Sequence, residues 1–148
     1  MKTSSGIIAY SVKNGKLLFL AGHPGGCRGD YWTMFKGECA DGEELAETAV
    51  REFCEETGIE LGGEAITDIV YLGCVKQSNH KRVHAFALEV DYDGIDLSAC
   101  HSNKADNCDW DEIDRYAWFD YDGIVSRTHR THKIFYDKIS NNYNKWKR

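Results

Sequence analysis

The chain has little of what marks a membrane-spanning or secreted protein. Only one of its 148 residues is proline, and no apolar run approaches the roughly 20 residues of a membrane span. The longest, around Leu17 to Ala21, is strand-sized. The opening MKTSSGIIAYSV carries one lysine and no small-residue cleavage site after an apolar run, so a first strand is expected there rather than a signal peptide. None of the six cysteines forms a CxxC pair. Without an export signal they read as reduced thiols in a cytoplasmic protein. Cys100, His101, Cys108 and Asp109 match no closed zinc spacing. A basic surplus is also missing. The net charge of −6 argues against a general nucleic-acid binder, but not against nucleotides, because a metal at an acidic site inverts the local field. Neither G-x-G-x-x-G nor GxxxxGK[ST] occurs.

What is present fits one domain, residues 1–148, large enough to bury a core without staples. Gly6 to Val12 and Lys16 to Gly22 read as strands around an Asn14-Gly15 hairpin turn. His23 to Asp30 is a glycine-rich loop, and Tyr31 to Phe35 is short and extended. The clearest helix is expected over residues 43–57, with Ala46, Ala49, Val50, Phe53 and Thr57 facing inward, Cys54 as a small buried hydrophobe, and Gly58 as the C-cap. Ile66 to Val75 and Arg82 to Val90 read as adjacent antiparallel strands. A polar loop over 91–109, a strand at Tyr116 to Phe119, and a helix from Arg130 to Trp146 on Ile134, Phe135, Ile139 and Tyr143 complete the chain. This order predicts an α/β fold, a mixed sheet with helices on both faces.

The informative stretch is GECADGEELAETAVREFCEETGI, Gly37 to Ile59. Its i, i+3 and i, i+4 spacings put Glu52, Glu55 and Glu56 on one helix face, where like charges repel and a cation would relieve them. Hard divalent ions such as Mg²⁺ or Mn²⁺ take oxygen ligands and keep positions for phosphate oxygens. A capped helix with a Glu47–Arg51 ion pair is the purely structural reading, and it leaves 52, 55 and 56 unexplained.

The fixed positions Gly37, Glu43, Arg51, Glu52, Phe53, Glu55, Glu56, Gly58 and Ile59 resemble the signature of the Nudix hydrolases, the MutT-like pyrophosphohydrolases. SSGIIAY, the HPGG loop and WTMFKGE resemble the flanks of one branch of that family. The resemblance implies an α/β/α sandwich whose loop-helix-loop holds divalent cations against a pyrophosphate. It implies a nucleoside diphosphate linked to another group as substrate, with water attacking phosphorus. By position, Glu52 and Glu56 are the main metal ligands, with Glu55 and the Gly37 carbonyl beside them. Arg51 and Glu43 orient the carboxylates. Asp109, Asp111, Glu112 and Asp114 are candidates for an acid outside the motif. That branch usually has proline where this chain has Phe35, which leaves the entry to the motif less rigid or differently packed.

Weaker candidates for substrate contact are Lys36 and Arg28 for phosphate, Tyr31 and Trp32 for base stacking, and His84. Arg127, Arg130, His132 and Lys133 form a basic patch that reads as a solvated helix face. Within the resemblance, a dinucleoside polyphosphate hydrolase and an oxidised-nucleotide sanitising enzyme are the alternatives. A non-catalytic nucleotide-sensing or protein-binding module is the rival of another class. Small enzymes of this kind often pair, so a homodimer is expected, with no membrane partner.

Overall fold

The computed structural model describes residues 1–146; Lys147 and Arg148, the last two of the expected domain, lie outside the described residues. The organising strand is β1 (Lys2–Lys13), longer than the apolar run that predicts it. It enters a turn at Asn14 and Gly15, whose φ values of 52° and 77° suit a tight hairpin. The chain returns as β2 (Lys16–Pro24), which takes in His23 and Pro24 from the expected loop.

The other strands are β3 (Phe35–Glu38), β4 (Val70–Ser78), β5 (Lys81–Glu89) and β6 (Ile113–Phe119). Together they make a six-stranded mixed sheet in the order β4-β5-β1-β2-β6, with β3 also paired to β1. The β1–β5 pairing is parallel, and every other strand pairing is antiparallel.

Alternation along β1 divides the core. Ile7 and Ala9 pack with Leu20, Phe35 and Phe86 beneath Ala49 and Phe53 of α1 (Leu45–Thr57). Ile8 and Tyr10 pack with Phe19, Val83 and Ala85 beneath Ile124 of α3 (Tyr121–Val125) and Phe135, Tyr136 and Ile139 of α4 (Lys133–Trp146). Helices therefore cover both faces, as the element order predicts.

Several expectations are corrected. Residues 65–68 form a helical turn, α2 (Ala65–Asp68), not the start of a strand, because Gly62 and Glu64 carbonyls accept from Ala65, Thr67 and Asp68. Cys54 is half-buried rather than buried. Ile134 is 47% exposed, and Tyr136 takes its place in the core. Residues 130–132 are a 3-10 turn before α4. His23, read as a loop residue, is buried between Asp114 and the Gly29 carbonyl, each 2.8 Å from a ring nitrogen.

The basic patch disperses too. Arg127 binds Asp30, Lys133 pairs with Asp137, and His132 is fully buried. His132 Nε2 donates to Gln77 Oε1 at 2.8 Å, while Nδ1 has no partner. Burial first, then the charges of Lys36, His129 and Lys81, push this imidazole down to about 3. The folded protein thus holds His132 neutral where the unfolded chain binds a proton. That stability is complete above the ordinary histidine range, near 6.5, and is lost as pH falls from there towards 3. Urea midpoints measured from pH 7 to 4 are expected to drop, with this one group contributing up to about 1.4 kcal/mol per pH unit. His132→Gln is expected to flatten the profile, and an unchanged slope would refute the assignment.

Candidate active site

The site begins with how α1 is held. Gly42, at φ 78°, turns the chain before the helix, and Glu44 with Glu47 forms a capping box. Glu47 is therefore occupied at the helix start and does not pair with Arg51. Arg51 instead grips Glu43 through Nε at 2.8 Å and Nη2 at 3.0 Å. Glu43 also accepts from Thr48 Oγ1 at 2.6 Å and from the Ala40 amide at 3.0 Å. These donors, Arg51 first, draw the Glu43 carboxyl down to about 2. With both oxygens engaged, Glu43 is a clamp on the loop that enters α1.

The remaining guanidinium nitrogen, Nη1, reaches Glu52 Oε1 at 2.9 Å and Glu55 Oε2 at 3.2 Å. Arg51 thus aims two motif carboxylates. Glu56, one turn beyond Glu52, lies on the inner side and is 7% exposed. Its Oε1 accepts from the Lys36 amide at 3.1 Å, and its backbone carbonyl accepts from Tyr116 Oη. Gly37 is required by contact: a Cβ there would run into the Glu52 carboxylate.

Glu112 completes the acidic group, and glycines again decide its position. The Gly25 amide donates to the Glu112 carbonyl at 2.8 Å. A Cβ at Gly25 would overlap the Asp111 carbonyl, and one at Gly26 the Trp110 indole. The HPGG segment therefore docks the 103–112 loop and brings the Glu112 carboxyl within hydrogen-bonding reach of Glu56. Burial first, then the charges of Glu52 and Glu112, push Glu56 up to about 9. Glu52 and Glu112 are also raised, each mainly by burial. Burial and the nearby Lys81 ammonium bring Lys36 down to about 8.

A cavity of about 260 Å³ opens beside these acids, lined by Lys36, Glu56 and Glu112 at one part and by Tyr31, Thr33 and Met34 at another. Of the candidates from sequence, the structure gathers Gly37, Glu43, Arg51, Glu52, Glu55, Glu56, Lys36, Glu112 and Tyr31 in or around this cleft. Trp32 lies instead in the core against His23 and Phe119, with Nε1 bonded to Asp30. His84 pairs with Tyr71 Oη at 2.8 Å, and exposed Arg28 is not among the cavity residues. Among the other acids, Asp114 binds His23 and Asp111 faces Lys104. Met34, Thr33 and Ala105 line the cavity without any prior signal, because no spacing marks them.

Among the described residues, no three His, Cys, Asp or Glu side chains converge closely enough to hold a metal ion in this arrangement. In this arrangement Arg51 holds Glu52 and Glu55. The donor set nevertheless fits a hard divalent cation. It is all oxygen, and the mutual repulsion that raises Glu56 is what a cation would relieve.

The NUDIX domain profile matches residues 2–140. The chain belongs to the Nudix family. It is a pyrophosphohydrolase of that family, acting on phosphorus anhydrides. No curated protein matches its sequence. Among solved structures it is similar in fold to an Ap4A hydrolase of C. elegans in a binary complex, at 16% identity and TM-score 0.71, covering 98% of this chain and 99% of that one. The NUDIX domain of Shewanella oneidensis NrtR, complexed with ADP ribose, aligns at 12% identity and TM-score 0.67, over 95% of this chain and 88% of that one. A MutT protein from Methanosarcina mazei Go1 aligns at 19% identity and TM-score 0.61, over 96% and 94%.

Gly37→Ala in this Nudix protein is expected to displace Glu52, costing about 1–3 kcal/mol by crowding. Gly42→Ala has open space and faces backbone strain alone, about 1–2 kcal/mol. Urea unfolding reads both costs. Only Gly37→Ala is expected to reduce turnover, and equal turnover in the two variants would contradict the contact.

Proposed function

We propose that the protein hydrolyses a pyrophosphate bond in a nucleotide derivative, a nucleoside diphosphate linked to a further group, with Mg²⁺ or Mn²⁺ as cofactor. The observation that carries this reading is Glu56 and Glu112 on the wall of one cavity, with Glu52 one turn before Glu56 on the same helix face, each raised mainly by burial. Glu52, Glu56 and the Gly37 carbonyl would hold the cation, with Glu55 and Glu112 at its margin. When bound, it would neutralise phosphate oxygens and lower the proton affinity of the attacking water.

The chain's own residues supply the rest. Arg51 and Glu43 hold two carboxylates in place without touching substrate. Glu112 faces Glu56 and can receive the proton that the attacking water loses. Lys36 puts its ammonium beside the acids, where a phosphate oxygen can bind it. Tyr31, Thr33 and Met34 form the wall available to the nucleoside. Trp110, 48% exposed over Gly26, borders the loop that carries Glu112. The proposal extends to a single domain over residues 1–148 acting in the cytoplasm. No described helix is long and apolar enough to cross a membrane.

The test is product analysis over dinucleoside polyphosphates, canonical and oxidised NTPs, ADP-ribose and nucleotide sugars, with Mg²⁺ or Mn²⁺. Glu56→Gln is expected to lower kcat by more than about a hundredfold, and EDTA to abolish turnover. A folded protein that binds nucleotide tightly and hydrolyses nothing would favour the sensing-module reading. Turnover retained in Glu56→Gln would remove that carboxylate from the mechanism.

A further inference from the structure

Nothing in the acid site uses His23, yet its surroundings ask more of it than core packing. Its side chain, at the end of β2, is 1% exposed. Nδ1 lies 2.8 Å from Asp114 Oδ1, and Nε2 lies 2.8 Å from the Gly29 carbonyl oxygen. An ionised carboxylate and a carbonyl oxygen only accept hydrogen bonds. Each ring nitrogen therefore donates, and a histidine with two N–H groups is a cation. Asp114 is its counter-charge, and it also faces Arg115 Nε at 3.7 Å on its outer side. Trp32 packs edge-on against the ring at 5.3 Å between centroids, and Asp30 beyond it accepts from Trp32 Nε1 and Arg127 Nε.

The backbone explains how Asp114 reaches the ring. His23 pairs with Arg115 and Pro24 pairs with Ile113, so β6 carries one residue more than β2 over this step. That extra residue is Asp114, the centre of a β-bulge. A bulge disrupts regular pairing and re-aims a side chain. Here the re-aimed carboxylate meets His23. Glu112 stands two residues before the bulge, and its carbonyl accepts from the amide of Gly25, two residues after His23. The His23–Asp114 pair thus ties the two strands together next to the point where they deliver Glu112. The second bond, to Gly29, holds the far end of the same glycine-rich loop.

We propose that His23 is a buried imidazolium and a positioning residue. Its two hydrogen bonds pin the Asp114 bulge and the loop from Gly25 to Gly29, and so keep Glu112 opposite Glu56. The consequence for catalysis rests on the hydrolase reading of the cleft, whereas the pin itself does not.

Two kinds of measurement keep these apart. In the substrate-free protein, ¹⁵N NMR of the His23 ring is expected to show a proton on both nitrogens at the pH of the turnover assay. Hydrogen exchange at the Gly25 amide is expected to be about tenfold faster in His23→Gln, whose single amide nitrogen cannot span both acceptors. Circular dichroism establishes that the variant folds. With Mg²⁺, His23→Gln is expected to lower kcat about a hundredfold with KM near wild type, the effect of a misplaced proton acceptor. In a Glu112→Gln background the same substitution is expected to cost nothing further, because both act through one group. Asp114→Asn keeps an acceptor for Nδ1 but removes the counter-charge. It is expected to leave a neutral ring, faster Gly25 exchange and a smaller fall in kcat, and it carries the same readouts where His23→Gln does not fold.

A wild-type ring with one proton, or Gly25 exchange unchanged in both variants, overturns the pin. A ring still doubly protonated in Asp114→Asn overturns the charge pairing. Losses in His23→Gln and Glu112→Gln that multiply in the double variant overturn the link to Glu112. A doubly protonated ring with His23-dependent exchange, in a protein that hydrolyses nothing on the panel, supports the pin and sinks the hydrolase reading.

Discussion

Glu56 is a carboxylate that the fold keeps largely out of water, and much of the site follows from that constraint. Among the described residues, the Lys36 amide is the donor to its carboxylate, and the Lys36 ammonium adds a nearby positive charge. That is too little to hold an isolated charge in a cleft it shares with Glu52 and Glu112. The excess negative potential can be relieved by a proton or by a cation. The nearest guanidinium does not relieve it, because Arg51 is engaged by Glu43 and by the outer carboxylates of the same helix. The arrangement leaves its most buried acid for something that arrives from outside.

Three separate segments have to meet for this to happen, and glycine permits each meeting. Gly37 leaves room for Glu52 against β3, while Gly25 and Gly26 let the 103–112 loop lie close enough for Glu112 to face Glu56. Gly6 lets Lys36 lie flat across β1. Of these four, only Gly26, at φ 79°, also draws on glycine's backbone freedom. Each is a close contact that any larger residue would fill, so the acid group depends on residues that carry no chemistry.

The motif made the helix and its three acids legible, because spacing on a helix is fixed by its pitch. The sheet was legible from β-branched and aromatic runs, and the Asn14-Gly15 turn from its demand for positive φ. Other features were not, for definable reasons. Glu112 could not be separated from Asp109, Asp111 and Asp114, because its position depends on a loop docking on two distant glycines. Trp32 and His23 share the composition of a binding loop but face inward, and orientation in irregular backbone has no period to read. The Glu47–Arg51 pair failed because the capping box had a prior claim on Glu47. Lys81 carried no signal at all: its relation to Lys36 exists only through the parallel pairing of β1 with β5, a long-range contact.

Phe35 shows how this chain solves the entry to its motif. Proline would fix φ there but could not donate to a strand ladder. Phe35 instead pairs with Ile7 on β1, is fully buried, and packs edge-on against Phe53 and in a stack on Tyr116. The entry is thus held by strand pairing and core packing instead of ring geometry. The consequence falls on the next residue. Strand alternation turns Phe35 into the α1 core, while the Lys36 amide reaches Glu56 and the Lys36 side chain lines the cavity that holds Glu56 and Glu112. One residue therefore serves the acids twice, through its backbone amide and through the charge of its side chain.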